Sequence, residues 1–421
     1  MRGAVRRLAR LATRKRLAVW GTGLLGLSWF IYIYTMSVPG FIDRAGRVKG
    51  SDYVQFYVMG SLVLDGRPAS LYDPAAHLSE GRLRVFPELN LYAMRPNYGP
   101  EVALAFAPLA LLPYLPSLAV FLGLMALCYA GAVGLLWRDS PGLAPHGWLV
   151  ALLAAASPLL FASLRYAQTS PFSLLLWVLA FVALEHDRRF AAGLAIGLLA
   201  YKPQFGLIVG PVLLIAREWR LVAGAAAAVA LQLAGAWLMV GTRVLDQYVG
   251  MLWTLLRNPR LVEIYPIEIH SVRGFLQLLL PWPGVITVCY LAALAAILVA
   301  AVRCWRSRAP RSLKWAELVL LTVLASPHLV TYDLLLLTVP LVLLADWAVR
   351  NAEHPRQPAV VLLLVLAYFA SFSGSLVARF THVQASVIVL SMLAWQVLAI
   401  SASRESAPAD AVWRLEPHAA V

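Results

Sequence analysis

This 421-residue chain is poor in charge: only 13% of its residues are Asp, Glu, Lys or Arg, against 61% hydrophobic residues and a mean hydropathy of +0.74. A soluble globular protein is about half apolar and roughly a quarter charged, so an ordinary soluble enzyme or binding module is excluded. Cysteine is scarcer still. Cys128, Cys289 and Cys304 stand singly, match no metal spacing and fall outside the expected external loops, which excludes a disulfide framework. The chain also has no cluster of zinc ligands and no glycine-rich loop of the kind that cradles phosphate.

What is present is a succession of apolar runs with basic residues between them. The formal charge of +14 would suit a nucleic-acid binder, but the Lys and Arg residues sit in short clusters between those runs, the positive-inside pattern of a polytopic helical membrane protein. Residues 1–16 carry Arg2, Arg6, Arg7, Arg10, Arg14, Lys15 and Arg16 and read as a basic cytoplasmic tail. The run Leu17 to Val38 is about as long as a bilayer-spanning helix and has no small-residue cleavage site, as expected of an uncleaved signal anchor. The segment 39–98 is then a first long external loop. It holds Asp43, Asp52, Asp65, Asp73, Glu80 and Glu88, with helix-breaking Gly66-Arg67-Pro68 and Arg95-Pro96-Asn97.

The stretch from Gly99 to Trp137 is too long for one span, and charge decides how it divides. Two spans there would turn the basic loops at Arg188 and Arg189, Arg217 and Arg220, Arg303 to Lys314 and Arg350 to Arg356 outward. Residues 99–112 are therefore expected as an interfacial or re-entrant helix. Spans follow at roughly 117–137, 148–164, 172–184, 189–201, 203–216, 220–240, 284–302, 315–327, 332–349, 358–378 and 383–401, about twelve with the first. Residues 17–402 form one all-α transmembrane domain with both ends inside. A second external loop, 241–283, has the aromatic and charged content of a lid, with Tyr248, Trp253, Arg257, Glu263, Tyr265, Glu268, His270 and Arg273. The tail 403–421 is short, polar and expected to be disordered.

Ionisable residues inside apolar runs cost several kcal/mol unless paired or wet, so they mark function. Arg165 with Gln168, Lys202 with Gln204, and His328 with Asp333 all fall at external ends of spans, on the side of Asp52. A transporter would bury such groups near mid-bilayer beside broken helices. A carrier or flippase for a lipid or small anion accounts for the spans equally well, but not for the long acidic, aromatic first loop or for polar groups gathered at one face.

Asp52-Tyr53, Gly66, Leu71-Tyr72-Asp73, Tyr98-Gly99-Pro100, Gln168-Thr169-Ser170, Lys202-Pro203 and Ser326-Pro327-His328 together resemble the pattern of glycosyltransferase family 87, over about residues 17–350. That family contains polyprenyl-phosphomannose-dependent mannosyltransferases of the GT-C superfamily. It often has Asp-Phe where this chain has Asp52-Tyr53, and Gly-Gln where it has Ala167-Gln168.

The resemblance implies a GT-C fold and a bacterial inner-membrane enzyme. Its site would face the periplasm and move a sugar, most simply mannose, from polyprenyl phosphate to a lipid or glycan acceptor. An oxocarbenium-like transition state needs a carboxylate to take the acceptor's proton and cations to hold the departing phosphate. Asp52 is the expected base and His328 a second catalytic group. Lys202, Arg165 and Arg273 are expected on the phosphate, and Tyr53, Tyr98, Gln168, Gln204 and His270 on the substrates. No cofactor beyond the donor lipid is called for, although the acids of the first loop leave room for a divalent metal.

Each residue also has a structural reading. Asp52 suits the N-cap of a helix starting at Tyr53, Lys202 can snorkel to headgroups, and His328 can be a satisfied boundary histidine. Gln168 can serve a turn, as can Tyr72 with Asp73. The tyrosines and Trp253 suit an interfacial belt, and Asp333 can pair with a neighbouring helix.

Overall fold

The computed structural model describes residues 2–9, 11–89, 96–258 and 265–403; Arg95, Glu263 and the tail after Ser403 lie outside them. Among the described residues the chain is all helical, with nineteen α-helices and only two isolated antiparallel bridges, Ile42 to Val48 and Ile269 to Val330. The basic N-terminal segment forms α1 (Arg2–Ala9), and Thr13 then caps α2 (Arg14–Met36) by accepting from the Arg16 N–H at 3.3 Å.

Among the described residues six helices are long and apolar enough to cross a bilayer. They are α2, α6 (Tyr114–Arg138), α12 (Trp219–Val240), α15 (Pro283–Arg306), the Thr331–Arg350 segment that ends in α17 (Thr338–Arg350), and α19 (Ala385–Ala402). Two bent pairs raise the number to eight: α7 (Gly147–Ala155) with α8 (Pro158–Tyr166), and the two halves of α18 (Gln357–Thr381). The polytopic all-α class holds, but the count differs from the expected twelve. The remaining apolar runs are α9 (Ser170–Glu185), α16 (Arg311–Ala325), and Arg189–Tyr201 and Pro203–Ile215, which contain α10 (Arg189–Gly197) and α11 (Gly206–Ile215). The longest, α9, has 16 residues and extends about 24 Å, short of the ~30 Å hydrocarbon core.

The 44° bend between α7 and α8 has a local cause. Pro158 has no N–H for the Ala154 carbonyl, and its ring excludes a straight helix. The freed carbonyls are taken by tyrosines: Tyr129 donates to Ala154 O at 3.0 Å and Tyr368 to Leu153 O at 2.8 Å. At the α10 and α12 crossing, Gly193 and Gly224 let the backbones touch; a Cβ on either would lie 2.1 Å from a carbonyl oxygen of the other helix. Small residues are how membrane helices reach such contact.

The core divides into two clusters. The larger is built on α9, α16, α17 and α19, and the smaller packs α3 (Tyr53–Leu64) against α5 (Pro100–Phe106) and the start of α6. At seven residues α5 is about 10 Å long, too short to span. It lies on α3 where Gly60 has no Cβ to strike the Phe106 carbonyl, at 2.7 Å. The first loop also holds α4 (Pro74–Arg84), capped by the Asp73 carboxylate on the Ala75 N–H at 2.9 Å, and the buried Glu80 gripped by Arg67 and Arg84. The second loop contributes α13 (Thr242–Arg257) and α14 (Val272–Leu279). Tyr248 of α13 meets Tyr72 at 5.7 Å between ring centroids, so the two loops join at one end of the bundle.

Candidate active site

Asp52 stands at the start of α3, yet it does not cap it. Its backbone is already in the right-handed helical region and its side chain makes no capping bond. The next residue explains the placement. Tyr53 is fully buried, hydrogen-bonded to Ser117 Oγ at 2.5 Å and stacked on Phe121 at 4.7 Å, so it anchors α3 in the smaller core and faces away from the Asp52 carboxylate. Tyr53 thus serves packing, where a substrate contact was expected. The Asp52 N–H donates to Tyr166 O at 3.1 Å, which ties the first loop to the end of α8.

The carboxylate is held by side chains. Gln168 Nε2 donates to Asp52 Oδ2 at 2.9 Å and Ser51 Oγ to Oδ1 at 3.3 Å, and Tyr332 lies near enough to influence it. Gln168 is oriented in turn, because its Oε1 accepts from the Thr169 N–H at 3.0 Å, and Tyr98 OH lies 3.5 Å from its Nε2. The chain reaches Gln168 through Ala167 at φ +53°, ψ +61°, the left-handed C-terminal position of α8. That geometry suits glycine and is strained in alanine.

Behind this carboxylate lies an ion pair. Lys202 Nζ donates to Asp333 Oδ1 at 2.6 Å, Ser170 Oγ donates to the same oxygen at 2.7 Å, and both charged side chains are buried. Pro203 keeps Lys202 out of the helical region, at φ −123°, ψ 75°, as expected of a residue before proline, and so breaks the chain where its side chain must turn inward. The Tyr332 ring lies 5.6 Å from Nζ, and Tyr201 OH bonds Ser173 Oγ at 2.6 Å. Lys202 was the expected phosphate holder; the structure gives its ammonium a carboxylate partner and little exposure.

The other expected cations are more open. Arg165 is 39% exposed and lies 3.9 Å from Asp43, while Arg273 reaches Pro327 O at 3.3 Å next to His328. His328 senses the charges of Asp333, Lys202 and Arg273. Gln204 is half-buried in the turn after Lys202. His270 is fully buried: Nδ1 meets Ser386 Oγ at 2.8 Å, Nε2 meets Thr331 Oγ1 at 3.0 Å, and its N–H donates to Leu329 O at 2.8 Å. It pins the second loop to the bundle, and both ring nitrogens are engaged.

The surroundings perturb these groups in consistent directions. Burial pushes the Asp52 carboxyl above its usual range, while Gln168, Tyr332, Ser51 and the Lys202 charge pull it back. Burial lowers the His328 imidazole, opposed by Asp333 and reinforced by Lys202 and Arg273, and burial lowers His270 to about 3. Glu268 of the second loop is raised by burial and again by Asp52, with Arg47 opposing. Both loops therefore bring carboxylates to this end of the bundle. Among the described residues no three His, Cys, Asp or Glu side chains gather as a metal cage would need.

Sequence reasoning did not single out Tyr332, and it met Ser170 only as part of the Gln168-Thr169-Ser170 motif, with no role for its hydroxyl. Tyr332 adjoins Asp333 and lies four residues from His328, the one signal that pointed to it. In chemical terms the site offers a partly accessible, hydrogen-bonded carboxylate, a neutral imidazole and two partly accessible guanidinium groups. That set can take a proton from a hydroxyl and steady an anion leaving nearby.

No curated protein and no solved structure matches the chain. A family model does: glycosyltransferase family 87 matches residues 97–327, just over half of the chain. The match takes in Tyr98, Gln168 and Lys202 and stops one residue before His328, with Asp52 upstream of it. With its all-α membrane architecture and that match, the chain belongs to glycosyltransferase family 87.

Proposed function

We propose that this membrane glycosyltransferase transfers a sugar, mannose in the simplest case, from a polyprenyl-phosphate donor to a lipid or glycan acceptor. The site is the end of the bundle that carries Asp52, placed on the periplasmic face of a bacterial inner membrane. The observation that carries the reading is the Asp52 carboxylate itself, freed from capping and held at 2.9 Å by an oriented Gln168. In the proposed step an acceptor hydroxyl oxygen attacks the anomeric carbon as the bond from that carbon to the phosphate oxygen breaks. The bonding pair leaves with the phosphate, Asp52 takes the hydroxyl proton, and a single displacement inverts the anomeric centre.

Arg165 and Arg273 are assigned to the departing phosphate, as partly accessible guanidinium groups at the rim, since a guanidinium fork matches phosphate oxygens. His328, kept neutral by its surroundings, donates to phosphate or orients the acceptor. Lys202, balanced by Asp333, favours the ionised form of Asp52 through its field. His270 is assigned to holding the second loop. The charge at the leaving group is met by protein cations, without a metal.

The test is transfer of radiolabelled mannose from polyprenyl phosphomannose to membrane lipids by purified wild type and Asp52→Asn. A general base contributes typically 10²- to 10⁴-fold, and a loss of that size is expected in the variant at unchanged folding. Full activity in Asp52→Asn would move the base elsewhere, and no product from any polyprenyl-linked sugar would sink the donor class.

A further inference from the structure

A large cavity in the molecule is far from Asp52. It has a volume of about 840 Å³, within the range of pockets that hold drug-sized ligands, ~300 to 1,000 Å³. It lies between α2 on one side and α6, α7, α17 and α18 on the other. Arg14 at its mouth is the first residue of α2, and Val349 and Gln357 at the same level end α17 and begin α18. Asp52 follows the opposite end of α2, so the cavity opens at the other membrane surface.

Its shape and chemistry are those of a lipid site. One stripe of α2, Arg14, Leu17, Trp20, Gly21 and Leu24, lines it. From Arg14 to Leu24 that stripe rises about 15 Å, half of a ~30 Å hydrocarbon core, so the cavity is one leaflet deep. Leu149, Leu153, Val342 and Val361 face α2 across it, and Trp20 meets Phe369 edge-on at 6.3 Å to close one side. The floor is the α7 and α8 bend, where the hydroxyls of Tyr129 and Tyr368 are spent on backbone carbonyls. It therefore offers ring faces rather than free polar atoms.

The mouth is polar and basic. Arg6, Arg14, His146, His354 and Glu353 surround it. Among the described residues Arg6 and Arg14 have no carboxylate partner within ion-pair distance, and Glu353 is the one acid against them. Two guanidinium groups over an apolar, leaflet-deep well match a phosphate headgroup with hydrocarbon below it. We propose that this cavity binds an anionic glycerophospholipid of the leaflet opposite the active site, its phosphate on Arg6 and Arg14 and acyl chain along α2 and α17. Such a lipid fills the gap behind α2, whose only buried residue is Gly21, and holds against the bundle the helix that leads into the Asp52 loop.

The experiment is native mass spectrometry of the purified full chain in a neutral detergent, titrated with phosphatidylglycerol or phosphatidylcholine. Ala345→Trp narrows the well and Arg6→Gln with Arg14→Gln removes the basic mouth. Wild type is expected to retain one phosphatidylglycerol at least ten-fold more tightly than phosphatidylcholine. The double glutamine variant is expected to lose that preference, and Ala345→Trp to lose both lipids. Equal retention of the two lipids by wild type, or retention indifferent to Ala345→Trp, would overturn the proposal. So would copurification of a polyprenyl phosphate or a fatty acid at this site in place of the phospholipid. The double glutamine variant changes exposed side chains only, so it decides the matter if Ala345→Trp fails to fold.

Discussion

Asp52 is where burial and hydrogen bonding pull against each other. Desolvation raises its carboxyl and Gln168 is the first of the groups that lower it. As the proposed base, Asp52 must be ionised, so transfer is expected to fall as pH falls through a pKa above the ordinary ~4 of aspartate. Removing the Gln168 amide takes away a bond to a charged acceptor, worth about 1.5 to 3 kcal/mol, and one pKa unit is about 1.4 kcal/mol. Gln168→Leu should therefore move the acid limb of the pH profile for kcat/KM upward by about one unit or more. An unmoved limb would detach Gln168 from the base. The stability sign follows from the same shift. With its folded pKa raised, Asp52 binds a proton in the native state where the unfolded chain does not, so its contribution is lost as pH rises through that window. Asp52→Asn should unfold no earlier than wild type at neutral pH. Ala167 offers a separate test: at φ +53° glycine relieves strain of about 1 to 2 kcal/mol, whereas a β-branched side chain adds to it. Ala167→Gly should keep activity and melting temperature, and Ala167→Val should lose activity as Gln168 is displaced. These residues were unequally legible in the sequence. The acid and its glutamine stand out as polar groups at the ends of apolar runs, but only packing shows that Tyr53 turns into the core while its neighbour stays at the mouth.

The buried pair of Lys202 and Asp333 belongs to the scale of elements, since it joins the break after α10 to the turn before α17 across 131 residues. Breaking one partner of such a pair leaves an uncompensated charge and costs about 3 to 5 kcal/mol, whereas replacing both by apolar groups is often nearly neutral. Lys202→Met and Asp333→Leu should each lower the melting temperature sharply, and the double variant should recover much of the loss. Additive losses in that cycle would show that the two charges do not act on each other. Both charges can be read from the sequence as costly residues in apolar surroundings, and pairing with another helix was one open reading of Asp333. Their partnership was not legible, because nothing local links positions so far apart. The elements of the bundle were readable in the same uneven way. Apolar runs mark where helices lie, while the bend at Pro158 and the limited reach of α9, α10, α11 and α16 show that a run is not always a full crossing.

At the scale of the whole molecule both long loops, the carboxylates and the rim cations gather at one end, and the basic turns lie at the other. From Thr169, next to Gln168, α9 carries the chain about 24 Å away to Arg188. Single cysteines at exposed Glu88 and at Arg188, with the three native cysteines replaced, should react with an impermeant maleimide from opposite sides of the membrane. Labelling of both from the same side would overturn the arrangement of the bundle. Composition alone determined the class, because a chain so apolar and so poor in charge has to satisfy its backbone inside lipid, and helices do that. Sequence also marked two long polar segments and a set of polar residues that the structure brings to one end of the bundle, since a charge in an apolar run is expensive enough to stand out. Only the tertiary structure decided which of those residues act together. It freed Asp52 from capping, paired Lys202 with Asp333, pinned His270 inside the bundle and opened the basic-mouthed cavity behind α2. Those outcomes depend on distances between segments far apart in the chain, and side-chain contacts of that kind have no local signature.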